Sequence, residues 1–144
     1  ENEVREIYHL LALLEADAAA DVARQASDSE LQELSSLHQQ LHQLAALLAD
    51  APTDNTLIDQ FFALNQQFHG RMLEISGNHW RMQIVNDLRG VMQLGRHHSL
   101  FKTGRVQQSL EEHSAILAAL VARDASAASA AVHTHFANGL LAAG

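Results

Sequence analysis

Leu57-Ile58-Asp59-Gln60-Phe61-Phe62-Ala63-Leu64-Asn65-Gln66-Gln67-Phe68-His69 is the stretch on which the fold turns. Leu57, Phe61, Leu64 and Phe68, continued by Met72 and Ile75, recur at steps of three and four residues. That is the spacing of one face of an amphipathic helix, not the alternation of a strand. Asn65 and His69 interrupt this apolar face one turn apart, so both project to the same side. An imidazole in a helix core must find a hydrogen-bond partner or a metal, because bare burial forfeits its hydration. His113, between Leu110 and Leu117, and His135, four after Ala131 and next to Phe136, interrupt two later stripes in the same way. Three such imidazoles on three segments can be satisfied together by one divalent ion.

The rest of the chain repeats the helical pattern. Val4, Ile7, Leu11, Leu14 and Ala18 mark a first helix ending near Ala26. Ser27-Asp28-Ser29-Glu30 is a capping box that opens a second helix, with Leu31, Leu34, Leu37, Leu41, Leu44 and Leu48 on its face. The stretch from Asp50 through Pro52, the single proline, to Asp54 ends it. The third helix stops at Ser76-Gly77-Asn78, where Gly77 can adopt the left-handed conformation. A fourth is expected from about His79 to Gly95 and a loop from Arg96 to Gly104. Val106, Leu110, Leu117 and Leu120 mark a fifth helix, and Asp124 or Ser126 caps an alanine-rich sixth. No stretch sustains a period of two. The expected fold is all-α, an antiparallel bundle of six or seven helices in one domain over 1–144.

Composition narrows the function. Nine Lys plus Arg against 17 Asp plus Glu give a net charge of −8, which offers no basic stripe to a phosphate backbone. Cysteine is absent, so thiol chemistry, a zinc ribbon and a disulfide scaffold are excluded. No apolar run is long enough to span a bilayer, and the polar start Glu1-Asn2-Glu3 resembles neither a signal nor a transit peptide, so a cytoplasmic protein is expected. The absence of an initial Met suits an excised C-terminal domain. Ten histidines stand where a chain of this length would carry two or three at roughly 2% usage, so some of them need a reason.

Three imidazoles and the Asn65 amide oxygen suit Zn, Ni, Mn or Fe(II). All four ligands are neutral, so the ion keeps its full charge and favours an anion in any open position, and a small carboxylate is the natural guest. Arg89 and Arg96, seven residues apart on the fourth helix with Gln93 between them, could bind such an acid, or could simply cover the surface. Arg105 is a weaker third choice. His38 and His42, spaced i and i+4 among glutamines, read as a solvated face rather than a second metal site, and His133 and His97-His98 read as surface groups. Glu6-Ile7-Tyr8-His9 is the sole Glu-x-x-His, too few for a di-iron bundle. Glu111 and Glu112 adjoin His113 but are expected to face elsewhere. With no evident base in the histidine stripes, a mononuclear metal hydrolase or lyase is the rival reading, and a bundle whose histidines bind nothing is a third.

Ile7-Tyr8 through Leu14-Glu15-Ala16, Asn65-Gln66-Gln67-Phe68-His69, Ser76-Gly77-Asn78, Gly104-Arg105 through Ser109-Leu110-Glu111-Glu112-His113 and the closing His135-Phe136 carry a resemblance in their order and spacing. Over nearly its full length the chain resembles the FCD effector-binding domain of the FadR subfamily of GntR-type transcription regulators. The resemblance implies a helical bundle with a central metal and effector cavity, a homodimer, and an attached N-terminal winged-helix DNA-binding domain outside this chain. It carries the metal-ligand roles onto Asn65, His69, His113 and His135, and it implies a small organic acid touching the metal. Two positions depart from the family. Asp is common where Asn65 stands, which leaves the site one unit more positive, and Leu11 stands where many members carry an Arg that meets the acid.

Overall fold

A computed structural model describes residues 2–96 and 104–143, with the side chains of 93–96 outside the description. The described residues form six helices: α1 (Asn2–Gln25), α2 (Asp28–Asp50), α3 (Asn55–Ser76), α4 (His79–Arg96), α5 (Arg105–Val121) and α6 (Ala125–Ala143). The boundaries follow the local chemistry of the chain. At the start of α2 the Ser27 hydroxyl accepts from the Glu30 N–H at 3.0 Å, and the Glu30 carboxylate accepts from the Ser27 N–H at 2.9 Å. Asp54 accepts from the Thr56 and Leu57 amides to open α3, which ends on Gly77 at φ +80°. Asn78 accepts from the Arg81 N–H and Asp124 from the Ala127 N–H, so α4 and α6 begin on short polar side chains as well. The expected loop lies mostly in residues 97–103, outside the described residues, and α4 runs one residue further than Gly95.

The bundle is antiparallel and α1 is its hub, packing on α6, α3, α4 and α5. Small residues make this possible. Ala16, Ala18, Ala19 and Ala23 of α1 are buried, as is Ala128 of α6, so the two backbones approach closely. Gly139 belongs to the same contact, since a Cβ there would stand 3.1 Å from the Tyr8 ring. Phe61, Phe68, Leu34, Leu41, Met72, Leu110, Ile116 and Leu120 fill the remaining core.

Polar side chains tie the helix ends together across the bundle. The Gln25 amide, at the end of α1, donates to the Ile75 and Ser76 carbonyls left open at the end of α3, at 3.2 and 2.9 Å. Arg81 of α4 is 5% exposed and pairs with Asp17 and Asp21 of α1. No helix among the described residues is long and apolar enough to cross a membrane.

Candidate metal centre

The interrupted stripes of α3, α5 and α6 converge. His69, His113 and His135 are all buried, and one ring nitrogen from each lies within 4.8 Å of the others. His69 Nε2 and His113 Nε2 are 3.2 Å apart, while the His69 and His135 rings stack with centroids 5.3 Å apart. Two imidazole nitrogens each about 2.0–2.1 Å from one ion would stand roughly 2.8–3.4 Å apart at the angles of octahedral or tetrahedral coordination. The observed separation falls inside that range.

Buried carboxylates set the tautomers. Glu15, on α1, accepts from His69 Nδ1 at 3.0 Å, and Glu112, on α5, accepts from His135 Nδ1 at 2.6 Å. A proton held on Nδ1 leaves Nε2 with its lone pair, the form that ligates metal. Burial, and then the nearby Arg89 charge, lowers the His69 imidazole to about 4 against the opposing pull of Glu15. Burial also drives His113 well below its ordinary value, with its imidazole neighbours and Arg105 acting in the same direction. Both rings are therefore neutral at pH 7 and need shed no proton to bind an ion.

Asn65 is buried one turn before His69, and its Oδ1 meets no hydrogen-bond partner among the described residues. His113 Nδ1 is likewise unpartnered. An orphaned amide oxygen one turn before His69, together with three converging imidazoles, is a donor set that fits a divalent ion.

Arginines hold the carboxylates in turn. Arg89 Nε donates to Glu15 Oε2 at 3.0 Å and its Nη1 to Gln66 Oε1 at 3.2 Å. Burial alone would raise the Glu15 carboxyl, but the Arg89 charge and the His69 contact outweigh it and hold it at about 2. Arg105 Nη1 lies 3.0 Å from Glu112 Oε1, and the Asn138 amide donates to Glu112 Oε2 at 2.6 Å. The pairs Glu15 with Arg89 and Glu112 with Arg105 cancel in charge, so an ion would carry its +2 into a formally neutral surrounding.

Several sequence expectations are corrected here. Glu112 faces the site beside His113, because the buried face of α5 is wide and takes in Arg105, Ser109, Glu112, His113 and Ile116 together. Glu111 alone of that pair is exposed. His38 is 7% exposed rather than solvated: its Nε2 meets Ser114 Oγ at 2.8 Å and its ring lies against Phe68 and His113. His42 and His133 are exposed, as expected. Arg105, the weaker third choice for the acid, is buried and paired with Glu112. Arg89 stands at the site, whereas the side chains of Gln93 and Arg96, and His97-His98 entirely, lie outside the described residues. Glu15 was missed as a site residue, although a carboxylate four residues after Leu11 and eight after Ile7 interrupts an apolar stripe just as the histidines do.

The FCD domain family matches residues 6–138. No curated protein matches the chain. Among solved structures, a GntR of Streptococcus agalactiae is 24% identical with a TM-score of 0.75, over 97% of this chain and 59% of its own. Lar, which controls the expression of the Listeria monocytogenes agr system and mediates virulence, is 15% identical with a TM-score of 0.76, over 96% of this chain and 61% of its own. The chain thus spans about three fifths of the length of each, and at these identities the likeness bears on the fold. Because the family match runs from α1 into α6 and includes all four helices that carry His69, His113, His135 and Glu15, the chain belongs to the FCD domain family.

Proposed function

We propose that this domain senses a small organic acid through a bound divalent ion and is the effector-binding part of a bacterial transcription regulator. The observation that carries the reading is the convergence of three buried imidazoles, two of them bonded to buried carboxylates, together with an Asn65 oxygen one turn from His69 that has no hydrogen-bond partner among the described residues. Asn65, His69, His113 and His135 hold the ion, which is Zn, Ni or Mn. A metal with more than four positions keeps some open, and its uncompensated charge attracts a carboxylate there. Arg89, which lies at the metal centre, gives the acid a guanidinium, with Gln93 and Arg96 further along α4 as additional contacts.

Regulation follows if ion and acid favour one packing of the helices. α1 carries Glu15, α3 carries His69, α5 carries His113 and α6 carries His135, so filling the centre draws four helices into one arrangement. In a homodimer that arrangement sets the spacing of two winged-helix domains, which alone touch DNA. A few kcal/mol of differential affinity is enough for such a switch. The setting is cytoplasmic, and no reaction is catalysed. A hydrolase would need a free base near the ion, but Glu15 is pinned by Arg89 at about 2 and Glu112 is occupied by His135, Arg105 and Asn138.

Elemental analysis of protein purified without chelator, with mass spectrometry of co-purifying acids, tests this directly. At the core centre about one ion per chain is expected, and His113→Ala should lose that ion. Small carboxylates should raise the melting temperature of the metal-loaded form and not of the stripped form. Metal-free protein whose melting is indifferent to Zn, Ni and Mn would reject the reading, and metal-dependent ester or amide hydrolysis would favour the enzyme instead.

A further inference from the structure

On α2, one turn separates His38 from His42, and their Nε2 atoms are 3.1 Å apart. This is nearly the separation found between His69 and His113 in the core. Ser114 Oγ, from α5, reaches the same His38 nitrogen at 2.8 Å, so two imidazoles and a hydroxyl from two helices gather at one point. His38 is buried behind them, while His42 and Ser114 are exposed. The place is therefore anchored on one side and open to water on the other, which gives an ion both a fixed ligand and an entry path.

We propose that His38 and His42, with Ser114 beside them, form a second metal site, specific for first-row transition ions such as Zn(II), Ni(II) or Cu(II). Paired imidazoles one helical turn apart are a bidentate chelate for these ions, whereas Mg(II) and Ca(II) require oxygen ligands in number. Exposure leaves the remaining coordination positions to water. A net charge of −8 raises the local concentration of any cation. The site does not depend on the core centre, since no ligand is shared, although His113 and Ser114 are consecutive and the His38 and His113 ring centroids are 6.1 Å apart. An ion bound here ties α2 to α5 immediately beside a core ligand.

Titration of the chelator-stripped chain with Zn(II), read by calorimetry and by metal content after gel filtration, separates the two sites. Wild type should take two ions and His42→Ala one. His42 is exposed, so that substitution spares the fold. His113→Ala should keep the α2 ion, and Cu(II) added to that variant should show a nitrogen-coordinated paramagnetic resonance spectrum that disappears when His42→Ala is added. Loss of His42 should weaken this ion by at least about tenfold. If wild type takes one ion, His113→Ala retains it and His42→Ala loses it, the α2 site stands and the core reading fails. Equal metal content in wild type and His42→Ala, or none in His113→Ala, would overturn the proposal and leave the trio a hydrogen-bonded clasp between α2 and α5.

Discussion

Glu15 divides its two oxygens between His69 and Arg89, and nearly all its surface is buried. Its charge persists because the guanidinium compensates it, and its geometry dictates which His69 nitrogen carries the proton. Glu15→Gln keeps the shape but loses that control, so metal affinity should fall by about 10 to 100-fold. Chelator-competition titration, run beside thermal melting to separate affinity from stability, checks it; unchanged affinity would mean that Glu15 serves packing alone. Arg89→Ala is a poor probe of the acid because it strands a buried carboxylate, which costs about 3–5 kcal/mol. Arg89→Lys keeps the charge and loses the planar fork. It should weaken carboxylate binding several-fold while metal content stays near wild type, and calorimetry with succinate or another small acid on metal-loaded protein measures the split.

At the scale of the element, α2 rests on its capping box, and α3 on the polar groups at both of its ends. Ser27→Ala removes the acceptor for the Glu30 N–H and should cost about 1 kcal/mol, seen as a lower urea midpoint at unchanged slope. Occupancy of the core centre should be unaffected, because none of its proposed ligands lies on α2. These boundaries were legible in the sequence, since a cap involves residues three positions apart and needs no tertiary contact. The buried face of α5 was not: Glu112 and His113 lie next to each other, and whether both turn inward depends on α6 and Arg105 closing over them.

For the molecule as a whole, neutral imidazoles and a charged carboxylate in the interior make stability depend on pH. His69 is held at about 4 and His113 is also depressed, so below their ordinary value of 6.5 the unfolded chain takes up protons that the folded chain refuses. Stability of the metal-free domain is therefore full above pH 6.5 and declines as pH falls toward 4. Glu15, at about 2 in the fold against 4.5, extends the loss from pH 4.5 downward with the same sign. Urea midpoints of stripped protein should already drop between pH 7 and 5, before most carboxylates titrate; a flat midpoint across that interval would contradict neutral buried imidazoles. In a full regulator carrying this domain, operator affinity measured by fluorescence anisotropy should shift with metal and acid together, as linkage requires. Affinity indifferent to every acid that stabilises the domain would refute the switch.

Sequence alone determined the helical class and the helix ends, and it singled out Asn65, His69, His113 and His135 as candidates, because each rests on periodicity or on neighbours within one turn. Hydrophobic spacing sends a face inward, and a polar residue on that face is visible without knowing what it meets. Tertiary structure decided the partners: Glu15 on His69, Glu112 on His135, Arg89 on Glu15, and His38 on Ser114. These contacts join residues 23 to 76 positions apart, and a one-dimensional pattern carries no information on which buried polar group will compensate another. Burial selects them, since a charge or an imidazole enters the core only where packing brings its complement within hydrogen-bonding distance.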